Sequence, residues 1–350
     1  MADPGAEHYR FAVTAYAGLE SEVLRLRNAN RSQAQTPQYL DWRYASPNGA
    51  PQPKVYWMHD RAGRRSAMAA LIFRSFWVDN EPQPAAVLGD ISLDSELRGR
   101  GLGRSLLRFV TEDLDRHHSD CLAFVIPNGE AQRSLASAGW TTGGELIPYV
   151  LLLDPEEKLG RVLRSARLAR GIARPARRMM AGVARLQRKQ GYSLRLLDRL
   201  DDSLDAAWQG FDRTRLALSD RSMAALNWRY TNHPQAAFKF AALDRRGQLA
   251  GYLVYELAEG GRECSIYDLL LPEAGDLGCM LALFASHLAD RGGVHAVRLL
   301  LNDEHPYAKQ LWKLGFVARA PSGVFQLYGR RARARLEGCR WLLTQGDKDT

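Results

Sequence analysis

The chain has 350 residues, 46% hydrophobic and 25% charged, ordinary globular proportions at a length that exceeds one typical core and suits two domains. No apolar run reaches the roughly 18 residues of a membrane-spanning helix. Residues 1–8 are polar, and Cys121, Cys264, Cys279 and Cys339 are scattered without a Cys-x-x-Cys pair. A reduced, cytoplasmic protein with neither a disulfide framework nor a metal site is therefore expected. The net charge of +9 is uneven: eleven Lys and Arg and no acid lie between Lys158 and Lys189.

In chain order, Tyr9 to Tyr16 alternates well enough for a strand, and Leu19, Val23, Leu24 and Leu26 fall at helical intervals over Gly18 to Asn28. Tyr39-Leu40-Asp41-Trp42-Arg43-Tyr44 predicts a short helix, and Lys54 to His59 with Ser66 to Val78 a hairpin around Arg61-Ala62-Gly63-Arg64. A strand beginning at Val87, a glycine-rich turn and a helix running to about His117 follow. Cys121 to Ile126 is a buried strand, Gly129 to Ala138 a short helix, and Tyr149 to Leu153 closes the sheet.

The same order then recurs. Tyr192 to Leu197 repeats the first strand, and Asp201 to Leu216 repeats the first helix, with Asp201 or Asp202 as its cap. Ala225-Leu226-Asn227-Trp228-Arg229-Tyr230 mirrors the Trp-Arg-Tyr helix. Phe238 to Glu256 is a hairpin, Cys264 to Leu271 the core strand, Leu277 to Arg291 its helix, and Val297 to Leu301 with Tyr307 to Phe316 completes the copy. Tyr9 and Tyr192, Trp42 and Trp228, Asp90 and Asp268, and Gly139 and Gly315 lie between 176 and 186 residues apart. One supersecondary plan occurs twice.

The stretch from Val87 to Leu107 carries the chemistry. Gly99, Gly101 and Gly103 let the backbone turn tightly and present several N–H groups, and the helix N-terminus behind them adds unpaired donors. Arg98, Arg100 and Arg104 make the same spot electropositive, as a phosphate or pyrophosphate requires. A nucleoside-triphosphate loop would need Gly-Lys-Ser/Thr, but Gly103 is followed by Arg104-Ser105; a dinucleotide loop would need Gly-x-Gly-x-x-Gly. In the second copy the stretch reads Glu273-Ala274-Gly275-Asp276-Leu277-Gly278, without arginine and with two acids that repel a pyrophosphate.

Arg-Gly-x-Gly-x-Gly after an apolar strand, opening an amphipathic helix, resembles the coenzyme A loop of the GCN5-related N-acetyltransferases (GNAT). The resemblance covers Tyr9 to Leu153 and, more weakly, Tyr192 to Leu327. It implies an α/β (α+β) fold of two tandem acetyltransferase-like mixed, mainly antiparallel sheets flanked by helices and joined by a basic helical linker. Residues 1–154 would form the domain with the coenzyme A loop, 155–190 the linker, 191–330 a degenerate second domain, and 331–350 a basic-to-polar tail. The activity implied is N-acyl transfer from acetyl-CoA, or another acyl-CoA, to a small-molecule amine. In the family the core strand bulges away from its neighbour and pantetheine lies in the gap, which maps onto Ile91, Ser92 and Leu93. Arg98, Gly99, Arg100, Gly101, Leu102, Gly103 and Arg104 would hold the pyrophosphate, and Asn128 matches a position that often touches the cofactor. Asp90 stands where the family commonly has an acid facing the acceptor, so it is expected as the base. The family's usual acid, a tyrosine seven residues after Asn128, is here Leu135; Tyr149 is the substitute.

Trp42 and Tyr44 either line an acceptor pocket or pin their helix to the sheet, and the recurrence at Trp228-Arg229-Tyr230 favours the second use. Tandem copies with such segments look like bacterial acyltransferases acting on amino sugars or polysaccharide precursors. The arginine ladder from Lys158 to Lys189 suits an anionic membrane surface or an acidic protein face, and its lack of aromatic residues argues against nucleic acid. Two alternatives remain open: a FemABX-like aminoacyl transferase using tRNA, and a membrane-peripheral scaffold with a vestigial cofactor site.

Overall fold

The computed structural model describes residues 9–45, 50–154, 182, 185–186, 189–258, 260–329 and 334–348. The expected basic helix from Lys158 to Lys189 lies mostly outside the described residues. Four strands open the chain as an antiparallel meander: β1 (Arg10–Ala15), β2 (Lys54–His59), β3 (Arg65–Val78) and β4 (Glu81–Leu93). The β3–β4 turn is Asp79-Asn80, both at positive φ (50° and 68°), the turn type whose twist matches that of the strands it joins. It starts β4 six residues earlier than the apolar run at Val87 predicts, through two prolines.

Two layers of helix cover this sheet. Helix α1 (Glu20–Asn28) and α2 (Pro37–Tyr44) press Val23, Leu26, Leu40 and Tyr44 onto Val55, Trp57, Met68 and Ala70. Helix α2 starts cleanly because Thr36 accepts the Tyr39 N–H and Pro37 takes the first turn, where no N–H is needed. On the other face α3 (Leu102–His117) buries Leu106, Leu107, Val110 and Leu114 against Tyr56, Ala69, Leu71 and Phe73. The parallel strand β5 (Leu122–Val125) and helix α4 (Gly129–Ser137) follow.

The repeat is present. After β6 (Thr141–Leu152), β7 (Tyr192–Leu197), β9 (Lys239–Arg245), β10 (Gln248–Leu257), β11 (Glu263–Leu270) and β12 (Ala296–Asn302) rebuild the meander and its parallel partner, and the helix Leu277–Arg291 covers one face. The mixed, mainly antiparallel architecture with flanking helices is thus as expected, twice over.

Two features depart from the sequence reading. The copies are not closed separately. Strand β14 (Gly323–Tyr328), from the second copy, lies between β5 and β6, while β6, from the first, pairs with β12. Each copy lends its last long strand to the other, and one sheet runs β1-β2-β3-β4-β5-β14-β6-β12-β11-β10-β9-β7. In addition, the helix expected from Asp201 to Leu216 stops early. It spans Ser203–Gln209, and Leu216–Ser219 is a fully buried strand, β8, that pairs with Phe76–Val78 of β3. A short apolar run fits either state, and burial between sheet neighbours decides for strand. The C-terminal segment is likewise built in: β15 (Arg340–Trp341) pairs with β8, and Leu343 and Asp347 are buried.

Candidate active site

The candidate groove begins where two parallel strands part. Strand β4 pairs with β5 only at Ala85–Val87 against Leu122–Phe124, so from Leu88 onward its edge has no partner in β5. A bulge sets the divergence: Ala70 faces Gly89 but Met68 faces Ser92, one residue too many on β4. Asp90 lies in the bulge at φ 53°, a left-handed conformation that aspartate tolerates better than most residues. Ile91 and Leu93 are half-buried against the α3 core, and Ser92 is buried. These are the strand residues expected to meet pantetheine, on the unpaired stretch.

The loop lies beyond them. A short 3-10 turn, Ser95–Leu97, leads into Arg98, and Gly99 and Gly101 take φ of 75° and 79° before α3 begins. Among the described residues the N–H groups from Gly99 to Gly103 have no backbone acceptor outside the helix, as at any helix start. Arg98, Arg100 and Arg104 are exposed beside them, and Leu102 is buried. Gly103 packs on Leu93, where an added Cβ would lie 3.7 Å from a leucine methyl. Asn128 caps α4, its side-chain oxygen accepting the Ala131 N–H at 2.9 Å. Sequence reasoning missed Asn30, between α1 and α2. Its side-chain oxygen receives the Arg98 guanidinium at 2.8 Å and the Leu93 N–H at 3.4 Å, placing this connection at both the loop and the strand edge.

The expectation for Asp90 needs correction. A general base needs a lone pair free for the substrate's proton. Asp90 instead sits in a cage: Arg27 pairs with Oδ1, Arg31 reaches the same oxygen at 3.4 Å, and Arg43 Nε and the Tyr44 hydroxyl donate to Oδ2 at 3.1 and 2.9 Å. Its side chain is wholly buried. Asp90 therefore acts as a structural anchor. Gly89 has no side chain for the same reason, since a Cβ there would meet the Arg43 guanidinium at 2.8 Å.

The acceptor-pocket use of Trp42 and Tyr44 is corrected too. Tyr44 is buried, stacks on Tyr16 at 4.2 Å and serves Asp90, and burial pushes its hydroxyl up to about 12. Trp42 stacks on Trp228, and the two indoles exchange hydrogen bonds with each other's backbone carbonyl at 2.6 and 3.0 Å. The recurring triplet is the joint between the copies. Tyr149, the substitute acid, is carried away by the strand exchange. It lies on β6 opposite Leu299 of β12 and packs on the second copy's core, where burial and Asp303 raise its hydroxyl. Leu135 is fully buried and takes no part in the groove.

The second copy shows the same groove closed by its own chain. Strands β11 and β12 pair only from Glu263 to Ile266 and then part. Leu271 corresponds to Leu93, and the Tyr307 hydroxyl donates to its carbonyl at 3.0 Å while accepting its N–H at 3.1 Å. This one side chain meets both backbone groups of Leu271, whereas at Leu93 in the first copy the N–H goes to Asn30. The caged carboxylate also recurs: Asp268 receives Arg221 at 2.9 Å and the Tyr230 hydroxyl at 3.2 Å. Beside it Asp347, from the C-terminal turn, binds Arg221 at 3.1 Å, Arg229 at 3.5 Å and the Ser219 hydroxyl. No spacing in the sequence announced Tyr307 or Asp347, because both act through contacts distant in the chain.

Comparison with known proteins agrees with this geometry. Residues 21–140 match the family model of the Acetyltransferase (GNAT) family. No curated protein matches in sequence. Among solved structures, a GCN5-related N-acetyltransferase from Anabaena variabilis is similar at 13% identity and TM-score 0.62, over 91% of this chain and 72% of that one. A conserved protein from Enterococcus faecalis V583, described as a probable N-acyltransferase, is similar at 12% identity and TM-score 0.64, over 94% and 75%. A tandem GNAT protein from the clavulanic acid biosynthesis pathway is similar at 15% identity and TM-score 0.56, over 91% and 98%. No helix among the described residues is long and apolar enough to cross a membrane. Residues 21–140 thus carry the match to the GNAT acetyltransferase family, and the second half of the chain repeats the same order of strands and helices.

Proposed function

We propose that the chain is an acyl-CoA-dependent N-acyltransferase, that acetyl-CoA or another acyl-CoA binds in the first copy, and that the acceptor is a small primary amine such as an amino sugar or polysaccharide precursor. One observation carries this reading: the edge of β4 from Leu88 to Ser92, without a partner in β5, leads directly into free N–H groups flanked by Arg98, Arg100 and Arg104. An extended amide-containing arm fits the strand edge, and a pyrophosphate fits the loop.

Bound acyl-CoA supplies a thioester to which the amine adds, forming the C–N bond as the C–S bond breaks. The residues at Ile91 to Leu93 would orient that carbonyl through backbone donors, and the loop arginines would hold the distal charge. With Asp90 caged, the amine's proton passes to water, and the thiolate, a good leaving group, needs no acid from Leu135. Calorimetric titration of acetyl-CoA, with thiol release across an amine panel, tests the proposal. Binding of one equivalent that Gly101→Asp abolishes is expected; no binding, or binding indifferent to that change, refutes it. Binding without turnover of any amine would leave the scaffold reading in its place.

A further inference from the structure

The two caged carboxylates differ in their charge balance. In the second copy Arg221 spans Asp268 and Asp347, and Arg229 adds to Asp347, so two guanidiniums meet two carboxylates. The C-terminal turn delivers the second of these. Arg229 corresponds to Arg43, Tyr230 to Tyr44 and Asp268 to Asp90, so the second copy shows an anion seated beside the core aspartate on the Trp-Arg-Tyr arginine.

In the first copy Arg27 and Arg31 both depend on Asp90, and both on the same oxygen. Arg43 takes the other oxygen. Arg27 is fully buried, and its Nε and Nη2 lack hydrogen-bond partners. Burial first, and then the nearby Arg43 and Arg31, drag its guanidinium down to about 9. Arg31, by contrast, has a side chain 40% exposed, and it follows directly on Asn30, which touches the loop arginine and the β4 edge. A positive excess thus opens to solvent through one arginine beside the groove. Excess buried positive charge is costly unless an anion joins it.

Resting on the acyl-CoA reading of that groove, we infer that the acceptor is an amine that also carries an anionic group, carboxylate or phosphate, bound by Arg31. The anion balances charge in the first copy as the Asp347 carboxylate does in the second. It also orients the acceptor, since an amine tethered to a fixed anion approaches the thioester from one direction.

Matched amines test this on the full chain: β-alanine against β-alaninamide for the carboxylate, and glucosamine 6-phosphate against glucosamine for the phosphate. Acetyl-transfer kcat/KM is expected to favour the charged member of at least one pair tenfold or more. Arg31→Ala should collapse that ratio through KM, and Arg31→Lys should restore part of it. Equal use of charged and neutral members, or an Arg31→Ala loss shared equally by both, overturns the inference. Acetyl-CoA affinity, measured separately by calorimetry, reports on the groove itself. If acetyl-CoA fails to bind, the same charged amines are titrated alone against thermal stability. A shift lost in Arg31→Ala upholds the anion site, and no shift overturns it.

Discussion

Trp42 and Trp228 occupy the same position in the two copies and lie stacked at 5.0 Å with their rings 14° apart, each indole N–H donating to the other's carbonyl. The arrangement is that of a local two-fold axis between the copies. His233 meets the edge of Trp42 at 4.4 Å, and Arg74 lies over the face of Trp228 at 4.3 Å, which completes the joint. Trp42→Ala is expected to cost about 3 kcal/mol, the low end for truncating a packed tryptophan. A double-mutant cycle with Trp228→Ala should show coupling of about 1 kcal/mol, measured by denaturant unfolding. Acetyl-CoA affinity should not move; a selective loss of acceptor KM with unchanged stability would return Trp42 to the acceptor pocket.

Asp90 gives a sharper test of anchor against base. Asp90→Asn removes the carboxylate from a buried cage of guanidiniums, and breaking such a pair costs about 3–5 kcal/mol. A large drop in the unfolding midpoint is expected. Whatever activity survives should keep the parent's pH–rate profile. A stable variant that is inactive, or that has lost the acid limb of its profile, would show Asp90 to be the base after all.

Gly101 sits at φ 79° at the mouth of α3. Gly101→Ala incurs the left-handed penalty of roughly 1–2 kcal/mol with little charge effect. Gly101→Asp adds a carboxylate at the expected pyrophosphate, so it should weaken acetyl-CoA at least tenfold more than Gly101→Ala does. The comparison separates backbone shape from charge.

Tyr307 predicts a stoichiometry. With its hydroxyl on both backbone groups of Leu271 and with Glu273 and Asp276 at the loop, the second copy should bind no acetyl-CoA, and calorimetry should report one site per chain. Tyr307→Phe frees the strand edge but leaves the acids, so the count should remain one while stability falls by about 1–3 kcal/mol for the unpaired groups.

His305 is fully buried, and burial, with Arg221 close by, drags its imidazole down to about 3. Its folded value lies below the unfolded one near 6.5, so the unfolded chain binds the extra proton between them. Stability from this group is fully present above about 6.5 and is lost as pH falls toward 3, at up to ~1.4 kcal/mol per pH unit. His305→Phe should flatten that part of the stability profile relative to the parent, and identical slopes would show the imidazole already charged.

The sequence by itself determined the local things: the hairpins, the amphipathic α3, the glycine loop with its arginines, the recurrence of the plan and the loss of the loop in the second copy. Each follows from periodicity, turn chemistry or charge within a short stretch, or from setting two such stretches side by side. Only the tertiary structure decided the role of Asp90, because a carboxylate becomes an anchor or a base according to whether Arg27, Arg31 and Arg43 surround it, and Arg27 is separated from it by most of the first sheet. The same holds for β6 and β14, whose apolar patterns fit either copy's sheet. It holds for Leu216–Ser219, where burial beside β3 made a strand of a run that helical spacing also fitted. Tyr307 closes the strand edge of the second copy and Asp347 joins its buried arginines, both through residues far apart in the chain. Side-chain chemistry was legible in the sequence, but which group neutralises which depends on distance, and distance exists only in the folded chain.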